Sequence, residues 1–244
     1  MLTEHKKHKR NLQKPLIMAH AGGMEHHKEN TLQSVQESLK YNVDIIELDI
    51  RKSKDGVLFC YHGFGIFVYY LAYFLRFFEY KTISKKFHID NPLIKILDAI
   101  KTPKIVYLNL KDFRVSAQEI DDLHSKYPHL ELWIGMSSSK KIKEIRQKLK
   151  HNYEFHSTWP NIMSFNSALK NAIKNDLHSI KLLPWQCTPQ NLKIVEEHNL
   201  YHVLEPILIS NKKFAILNKK IGGLYICLND LRKPHDVTSI YKYL

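Results

Sequence analysis

The feature of this chain that most constrains its fold is a regular alternation of short apolar segments with longer amphipathic ones. The short segments have the length of strands, and in the longer ones apolar residues recur every three or four positions, as on one face of a helix. Strands and helices that alternate in this way build parallel sheets. Eight such units predict a (β/α)8 barrel, a fold of about 250 residues, and the chain has 244. The predicted strands are residues 16–19, 45–50, 104–111, 131–136, 153–157, 180–185, 201–207 and 224–228.

Composition and cysteine content narrow the class of protein. Hydrophobic residues make up 44% of the chain, enough for one large core, so we expect residues 15–244 to form a single domain. Residues 1–14 are a basic leader with no apolar segment behind it, a pattern that does not support a secretory signal. The cysteines are too few and too scattered for a disulfide framework or a zinc site, which predicts a reducing, cytoplasmic location. They are Cys60, Cys187 and Cys227.

The formal net charge of +13 is unusually high and bears on the partners of the protein. The simplest interpretation is a set of solvated, lysine-rich helix faces. The alternative is attraction to a polyanion, either anionic lipid headgroups or nucleic acid. Basic and aromatic residues are not interleaved as in RNA-binding motifs, so we expect no nucleic-acid partner and keep a peripheral membrane contact as the alternative.

A candidate active site is concentrated in residues 44–63. Apolar and charged side chains alternate there at period two, so Glu47 and Asp49 share one face of a strand while the isoleucines and leucine between them occupy the other. Burying two adjacent carboxylates is costly unless a cation is bound, and hard divalent ions prefer oxygen ligands of this kind. The pair Asp55-Gly56 predicts a two-residue hairpin turn that returns the chain and brings His62 back to the carboxylates.

Five short motifs in this half of the chain together resemble the glycerophosphodiester phosphodiesterase family, whose barrel is like that of the phosphatidylinositol phospholipases. The family pattern is HRG, EN, ExD, DG and HD. Here the corresponding residues are His20-Ala-Gly-Gly, Glu29-Asn-Thr, Glu47-Leu-Asp, Asp55-Gly and His62. The match covers about 45 residues.

The resemblance implies a metal-dependent phosphodiester hydrolase of lipid metabolism that acts on glycerophosphodiesters or lysophospholipid-like diesters. It implies one divalent cation, Mg²⁺ or Ca²⁺, held by Glu47, Asp49 and Asn109, the last of which begins the Asn109-Leu-Lys sequence that stands where the family has a Glu-x-Lys element. It also implies that His20 and His62 divide the proton transfers, one activating the nucleophile and the other protonating the leaving group.

The same resemblance suggests three substrate-binding residues. Lys111 would carry positive charge near the phosphate, and Glu29 belongs to the EN motif. Trp185 is expected either to stack on the alcohol group of the substrate or to plug the top of the barrel. All three fall at predicted ends of strands or in the loops beyond them, where barrel enzymes carry their chemistry.

Three positions depart from the family pattern. Asn109 replaces a carboxylate, Ala21 replaces an arginine, and Gly63 replaces an aspartate. An amide oxygen still coordinates Mg²⁺ or Ca²⁺, but more weakly than a carboxylate. The alternative hypothesis is therefore a catalytically impaired barrel that binds a phosphate-bearing ligand or an anionic membrane surface.

Residues 64–80 are unusually rich in phenylalanine and tyrosine. Their spacing predicts an inserted aromatic helix after the second strand unit. Such a helix either packs into the core or forms a lid that faces a membrane and admits a lipid-derived substrate.

Overall fold

The computed structural model describes residues 15–23, 28–41, 43–63, 73–158, 164–204, 216–217 and 219–228. Residues 225–228 are described by their backbone alone. The leader 1–14 and residues 64–72 of the aromatic segment lie outside the described residues. The strands are β1 (Leu16–Ala19), β2 (Ile45–Lys52), β3 (Leu58–Cys60), β4 (Lys104–Leu110), β5 (Leu130–Gly135), β6 (Glu154–His156), β7 (Ser179–Leu182), β8 (Tyr201–Leu204) and β9 (Tyr225–Leu228).

Apart from the β2–β3 hairpin, these strands pair in parallel. One sheet has the order β6-β5-β4-β2-β1-β9, and β7 pairs with β8 separately. Two backbone hydrogen bonds connect these pieces, from His178 N to the Phe155 carbonyl (2.6 Å) and from Leu224 N to the His202 carbonyl (2.9 Å). Eight described parallel strands thus follow one another around a ring, and the predicted barrel is confirmed.

The helices cover the outside of the ring. They are α1 (Leu32–Lys40), α2 (Tyr80–Phe87), α3 (Leu93–Leu97), α4 (Ala117–Lys126), α5 (Ser139–Arg146), α6 (Phe165–Lys174) and α7 (Pro189–Glu197). The first of them is capped by Thr31, the residue before it, whose hydroxyl accepts a hydrogen bond from Ser34 N (3.1 Å) and so satisfies a donor of the first turn. No helix in the described part of the chain is long and apolar enough to span a bilayer.

Successive strand residues face two different cores. Ile46, Leu48 and Ile50 of β2 face the helices. Ile45, Glu47 and Asp49 of the same strand face the barrel axis. The lower part of the axis is filled by a separate apolar cluster of buried residues, formed by Met18, Ile45, Tyr107, Trp133, Val203 and Leu224. Polar side chains follow toward the carboxyl ends of the strands, where a barrel places its active site.

Local structure differs from the sequence-based prediction at two places. The β2–β3 connection is a loop over residues 53–57, closed by a hydrogen bond from Ser53 N to the Val57 carbonyl, so the prediction of a two-residue turn is wrong. Strand β7 ends at Leu182, and Trp185 lies in a 3-10 turn, Pro184–Gln186. In the aromatic segment, Tyr73 and Phe74 are helical and are followed by a 3-10 turn, Leu75–Phe77, and by α2. The rest of the predicted inserted helix falls on residues 64–72, outside the described residues, so it stays a prediction.

Candidate active site

The centre of the site is the buried pair Glu47 and Asp49, each at most 2% exposed. Every oxygen of the pair accepts a hydrogen bond. Ala21 N donates to Glu47 Oε2 (2.7 Å), and Asn30 Nδ2 donates to Asp49 Oδ2 (3.0 Å). The remaining two oxygens face Asn109, whose Nδ2 lies 3.0 Å from Glu47 Oε1 and 3.1 Å from Asp49 Oδ1.

Asn109 and Lys111 come from β4 and the residue that follows it. Asn109 is directly beside Asp49 in the parallel register between β2 and β4, which explains how it reaches both carboxylates. Lys111 Nζ lies 3.2 Å from Asp49 Oδ1, with the lysine side chain 17% exposed. One ammonium group therefore balances part of the buried negative charge and still reaches the mouth of the barrel.

The loop after β1 is shaped so that its backbone serves the site. Ala21 and Gly22 have φ values of +50° and +77°, in the left-handed region. A β-carbon on Gly22 would lie 2.8 Å from Ser34 Oγ and 2.9 Å from Val35 Cγ2, so only glycine lets the loop pass this close to α1. The Gly22 carbonyl accepts a hydrogen bond from Ser38 Oγ (2.7 Å), which fixes the loop with the Ala21 N–H aimed at Glu47.

The two histidines flank the carboxylate pair. His20 Nε2 lies 4.0 Å from Glu47 Oε2, and His62 Nδ1 lies 3.9 Å from Asp49 Oδ2. Their ring centroids are 6.4 Å apart, with the ring planes at 82°. Both rings are partly exposed, at 28% and 19%, so a ligand at the mouth can contact them.

Charge and burial separate the acidities of these groups. Burial and, after it, the charge of Asp49 raise the pKa of Glu47. Burial alone would also raise the pKa of Asp49, but Lys111, His62 and the Asn30 hydrogen bond outweigh it and lower that pKa. Asp49 is therefore the stronger acid of the pair.

Glu29 controls the acidity of His62. Its carboxylate Oε2 lies 3.8 Å from His62 Nδ1. This interaction is the largest influence on His62 and raises its pKa; burial opposes it and Asp49 reinforces it. The protonated imidazolium is thus favoured, and this is the form that donates a proton.

The comparisons with known proteins agree with this geometry. The sequence model of the glycerophosphoryl diester phosphodiesterase family matches residues 20–69, the stretch that carries both histidines and both carboxylates. The chain is therefore similar to this family over the stretch that carries the candidate active site. No curated protein matches the sequence.

Solved structures extend the likeness to the whole fold. A proposed glycerophosphodiester phosphodiesterase from Galdieria sulphuraria is 18% identical, with 95% of this chain and 98% of that chain covered and a TM-score of 0.73. An Oleispira antarctica phosphodiesterase in complex with the product sn-glycerol-3-phosphate is 14% identical, with 94% and 97% covered and a TM-score of 0.72. The glycerophosphodiester phosphodiesterase from Agrobacterium tumefaciens is 16% identical, with 95% and 100% covered and a TM-score of 0.66.

Most of the predicted site residues of this barrel meet in one place. Those brought together are His20, Glu29, Glu47, Asp49, His62, Asn109 and Lys111. Trp185 is 57% exposed, and none of the hydrogen bonds, ion pairs or ring contacts between described residues joins it to the carboxylates. Its predicted contact with substrate stays a prediction.

Two contributors to the site were not predicted as site residues. Asn30 is 1% exposed and holds Asp49 twice, because its Oδ1 also accepts a hydrogen bond from Asp49 N (2.8 Å). Arg51 donates to the carbonyls of Tyr61 (2.9 Å) and His62 (2.7 Å) and so fixes the backbone that carries His62. The available signal for Arg51 was its spacing, two residues beyond Asp49 on the same strand face.

Proposed function

We propose that the protein hydrolyses glycerophosphodiesters, with His20 and His62 as the proton-transfer pair. The observation that carries the proposal is their placement, one 4.0 Å from Glu47 and the other 3.9 Å from Asp49, on either side of the buried carboxylates. Because Glu29 favours the protonated form of His62, we assign proton donation to the leaving alkoxide to His62. His20 then accepts the proton of the attacking water.

The carboxylate pair fits a divalent cation, Mg²⁺ or Ca²⁺. Glu47 and Asp49 are buried oxygen donors that converge on one point, and their repulsion contributes to the raised pKa of Glu47, which a cation would relieve. Within the described ranges no three His, Cys, Asp or Glu side chains form a metal-binding group, so the third donor would be the amide oxygen of Asn109. When bound, such an ion supplies positive charge that stabilises the transition state of phosphoryl transfer.

The other residues of the site bind the phosphate or hold the carboxylates and His62 in place. Lys111 lies 3.2 Å from Asp49 and is partly exposed at the mouth, where its ammonium group would bind a phosphate oxygen. Asn30 and the Ala21 N–H hold the carboxylates in place through buried hydrogen bonds. Arg51 holds the backbone of His62, so the proton donor is fixed from two sides.

The test is hydrolysis of glycerophosphocholine in the presence of Mg²⁺ or Ca²⁺. His20→Ala and His62→Asn should each reduce kcat/KM by at least about 100-fold, the usual contribution of a positioned acid or base. His198→Ala is the matched control, because His198 is exposed at the end of α7, on the side of the barrel where that helix leads into β8. Tight binding of the diester without turnover by the wild type would instead support the catalytically impaired barrel.

We further propose that the preferred diester is lipid-derived. Four aromatic residues, the rim aromatic cluster of Tyr73, Phe74, Phe77 and Phe113, are each 49–56% exposed. The Arg76 guanidinium lies among them, 4.8 Å, 5.1 Å and 5.4 Å from the ring centroids of Tyr73, Phe77 and Phe113. Exposed aromatic patches of this kind mark interaction surfaces.

The cluster lies beside the mouth of the barrel. Phe113 is two residues beyond Lys111 in the loop after β4, and Arg114 Nη1 of the same loop donates to the Arg76 carbonyl (3.1 Å). An acyl chain of a bound lysophospholipid would reach these rings, and the net charge of +13 favours an anionic lipid surface.

Two measurements test the lipid proposal. The wild type should show higher kcat/KM for a lysophospholipid than for its deacylated counterpart, and Phe74→Ser with Phe77→Ser should abolish that preference while retaining turnover of the deacylated diester. Ile173→Ser, a change at an exposed apolar residue of α6, is the control. Sedimentation with phosphatidylserine vesicles should likewise be lost only in the double variant; equal turnover of both diesters by the wild type would refute the preference.

A further inference from the structure

Asn109 occupies the point on which the carboxylates converge. Its Nδ2 lies 3.0 Å from Glu47 Oε1 and 3.1 Å from Asp49 Oδ1, so one amide group bridges both side chains. Within the described residues, the outer oxygens of the pair are bound by Ala21 N and Asn30 Nδ2. Each of the four carboxylate oxygens thus has a hydrogen-bond donor among these residues.

An amide has one donor end and one acceptor end. The carboxylates alone and a bound cation need opposite ends of it. Two carboxylate oxygens at about 3 Å attract the NH₂ end and repel the oxygen. A divalent cation takes the oxygen end, because hard cations bind carbonyl oxygens. The side-chain amide of Asn109 therefore has to exchange the positions of its NH₂ group and its oxygen when a cation binds.

A carboxylate at this position would behave differently. It would place a third negative charge about 3 Å from two buried ones, with Lys111 as the balancing cation of the cluster. Uncompensated buried charge is strongly destabilising. A site with three carboxylates is therefore stable when its metal is bound, whereas the site built with Asn109 is stable without it.

We propose that Asn109 is a reversible bridge, which holds the carboxylates through its NH₂ group in the metal-free protein and turns its oxygen to the cation when one binds. The divalent cation is consequently an exchangeable ligand of this chain, taken up from solution, and is not needed for folding. This inference rests on the proposed function only in assuming that the site binds a divalent cation.

The isosteric variant N109D tests the bridge with MgCl₂ or CaCl₂ as the sole ligand. In EDTA the wild type should unfold cooperatively, and N109D should unfold at a lower temperature. Calorimetric titration should show the cation binding N109D at least about tenfold more tightly, since a carboxylate replaces an amide ligand. Saturating cation should then recover the melting temperature of N109D.

A second variant and the NMR signal of the Asn109 amide test the bridge independently of the stability of N109D. Asn109→Leu retains the approximate shape but neither donates nor coordinates, so it should melt below the wild type in EDTA and gain nothing from the cation. In the wild type, the side-chain NH₂ resonance of Asn109, identified by its absence in N109D, should shift when the cation is added.

Several results would overturn the bridge: a wild-type protein that is already unfolded in EDTA before heating, an N109D protein with unchanged melting temperature and cation affinity, or an NH₂ resonance that does not move. None of these measurements uses a diester. Absence of hydrolysis would therefore refute the proposed function and leave the bridge standing.

Discussion

Replacement of Asn30 should reveal how strongly the protein depends on positioning Asp49. Asn30 makes two hydrogen bonds to Asp49, one from its Nδ2 to the carboxylate (3.0 Å) and one from Asp49 N to its Oδ1 (2.8 Å), and both residues are 1% exposed. Asn30→Gly removes both contacts and preserves the backbone, because Asn30 has φ +59° and glycine adopts the left-handed region freely.

The expected loss of stability follows from the two hydrogen bonds that Asn30→Gly removes and from the buried N–H of Asp49 that it leaves without this partner. A hydrogen bond to a charged group contributes about 1.5–3 kcal/mol, and a buried N–H without a partner costs about 1–3 kcal/mol. The free energy of unfolding should therefore fall by about 3–5 kcal/mol, a large part of the roughly 5–15 kcal/mol that stabilises a typical protein. Urea denaturation followed by circular dichroism measures this difference.

A matched control separates the buried contacts from the change of residue type. Asn199 also has a left-handed φ, +53°, but lies exposed at the end of α7. Asn199→Gly should cost less than about 1 kcal/mol, as surface substitutions usually do. If Asn30→Gly costs no more than Asn199→Gly, the assigned role of Asn30 in holding the carboxylate is wrong.

Three further changes probe the surroundings of the histidines and strand β5. Glu29→Gln should lower the pKa of His62, because Glu29 is the main group that raises it; the alkaline limb of the kcat/KM profile should then move to lower pH, and an unmoved limb would exclude His62 as the proton donor. The raised pKa also means that the ion pair stabilises the fold below the unfolded pKa of His62 and is lost as pH rises through the folded value. Arg51→Gln should lower kcat/KM by about 10-fold to 100-fold with folding retained, since the backbone of His62 loses a donor; an unchanged kcat/KM would make the contact structural only. Gly135→Ala should reduce the free energy of unfolding by about 1–3 kcal/mol, because its β-carbon would lie 2.4 Å from Tyr107 Oη; a wild-type urea midpoint would show that the ring moves aside.

The sequence was most informative where a simple period decides the outcome. Alternation at period two placed Glu47 and Asp49 on the axial face of β2, and the structure has them there because Leu48 and its apolar neighbours are buried against the helices. The eight strands were found because each is a short apolar segment between longer segments with a helical period. Positions that are buried at a regular interval carry apolar residues at the same interval in the sequence.

Irregular backbone was not predictable in the same way. The contact of Asn30 with Asp49 depends on a left-handed φ in a loop, and no sequence period encodes this. The end of β7 was placed at Trp185 and lies at Leu182, where the chain enters the 3-10 turn begun by Pro184. The two-residue turn expected at Gly56 became a longer loop because Ser53 bonds across it to Val57 and to Asp55.

The two junctions in the ring of strands affect which part of the barrel opens first. Among the described residues, one backbone hydrogen bond at His178 joins β7 to β6 and one at Leu224 joins β8 to the residue before β9, whereas β2 and β4 share a continuous ladder from Ile45 to Ile50. Amide protons of β7 and β8 should therefore exchange with solvent sooner than those of β2 and β4, as the first cooperative unit to open. Since Glu47, Asp49 and Asn109 all stand on the continuous ladder, such opening leaves the anionic centre assembled.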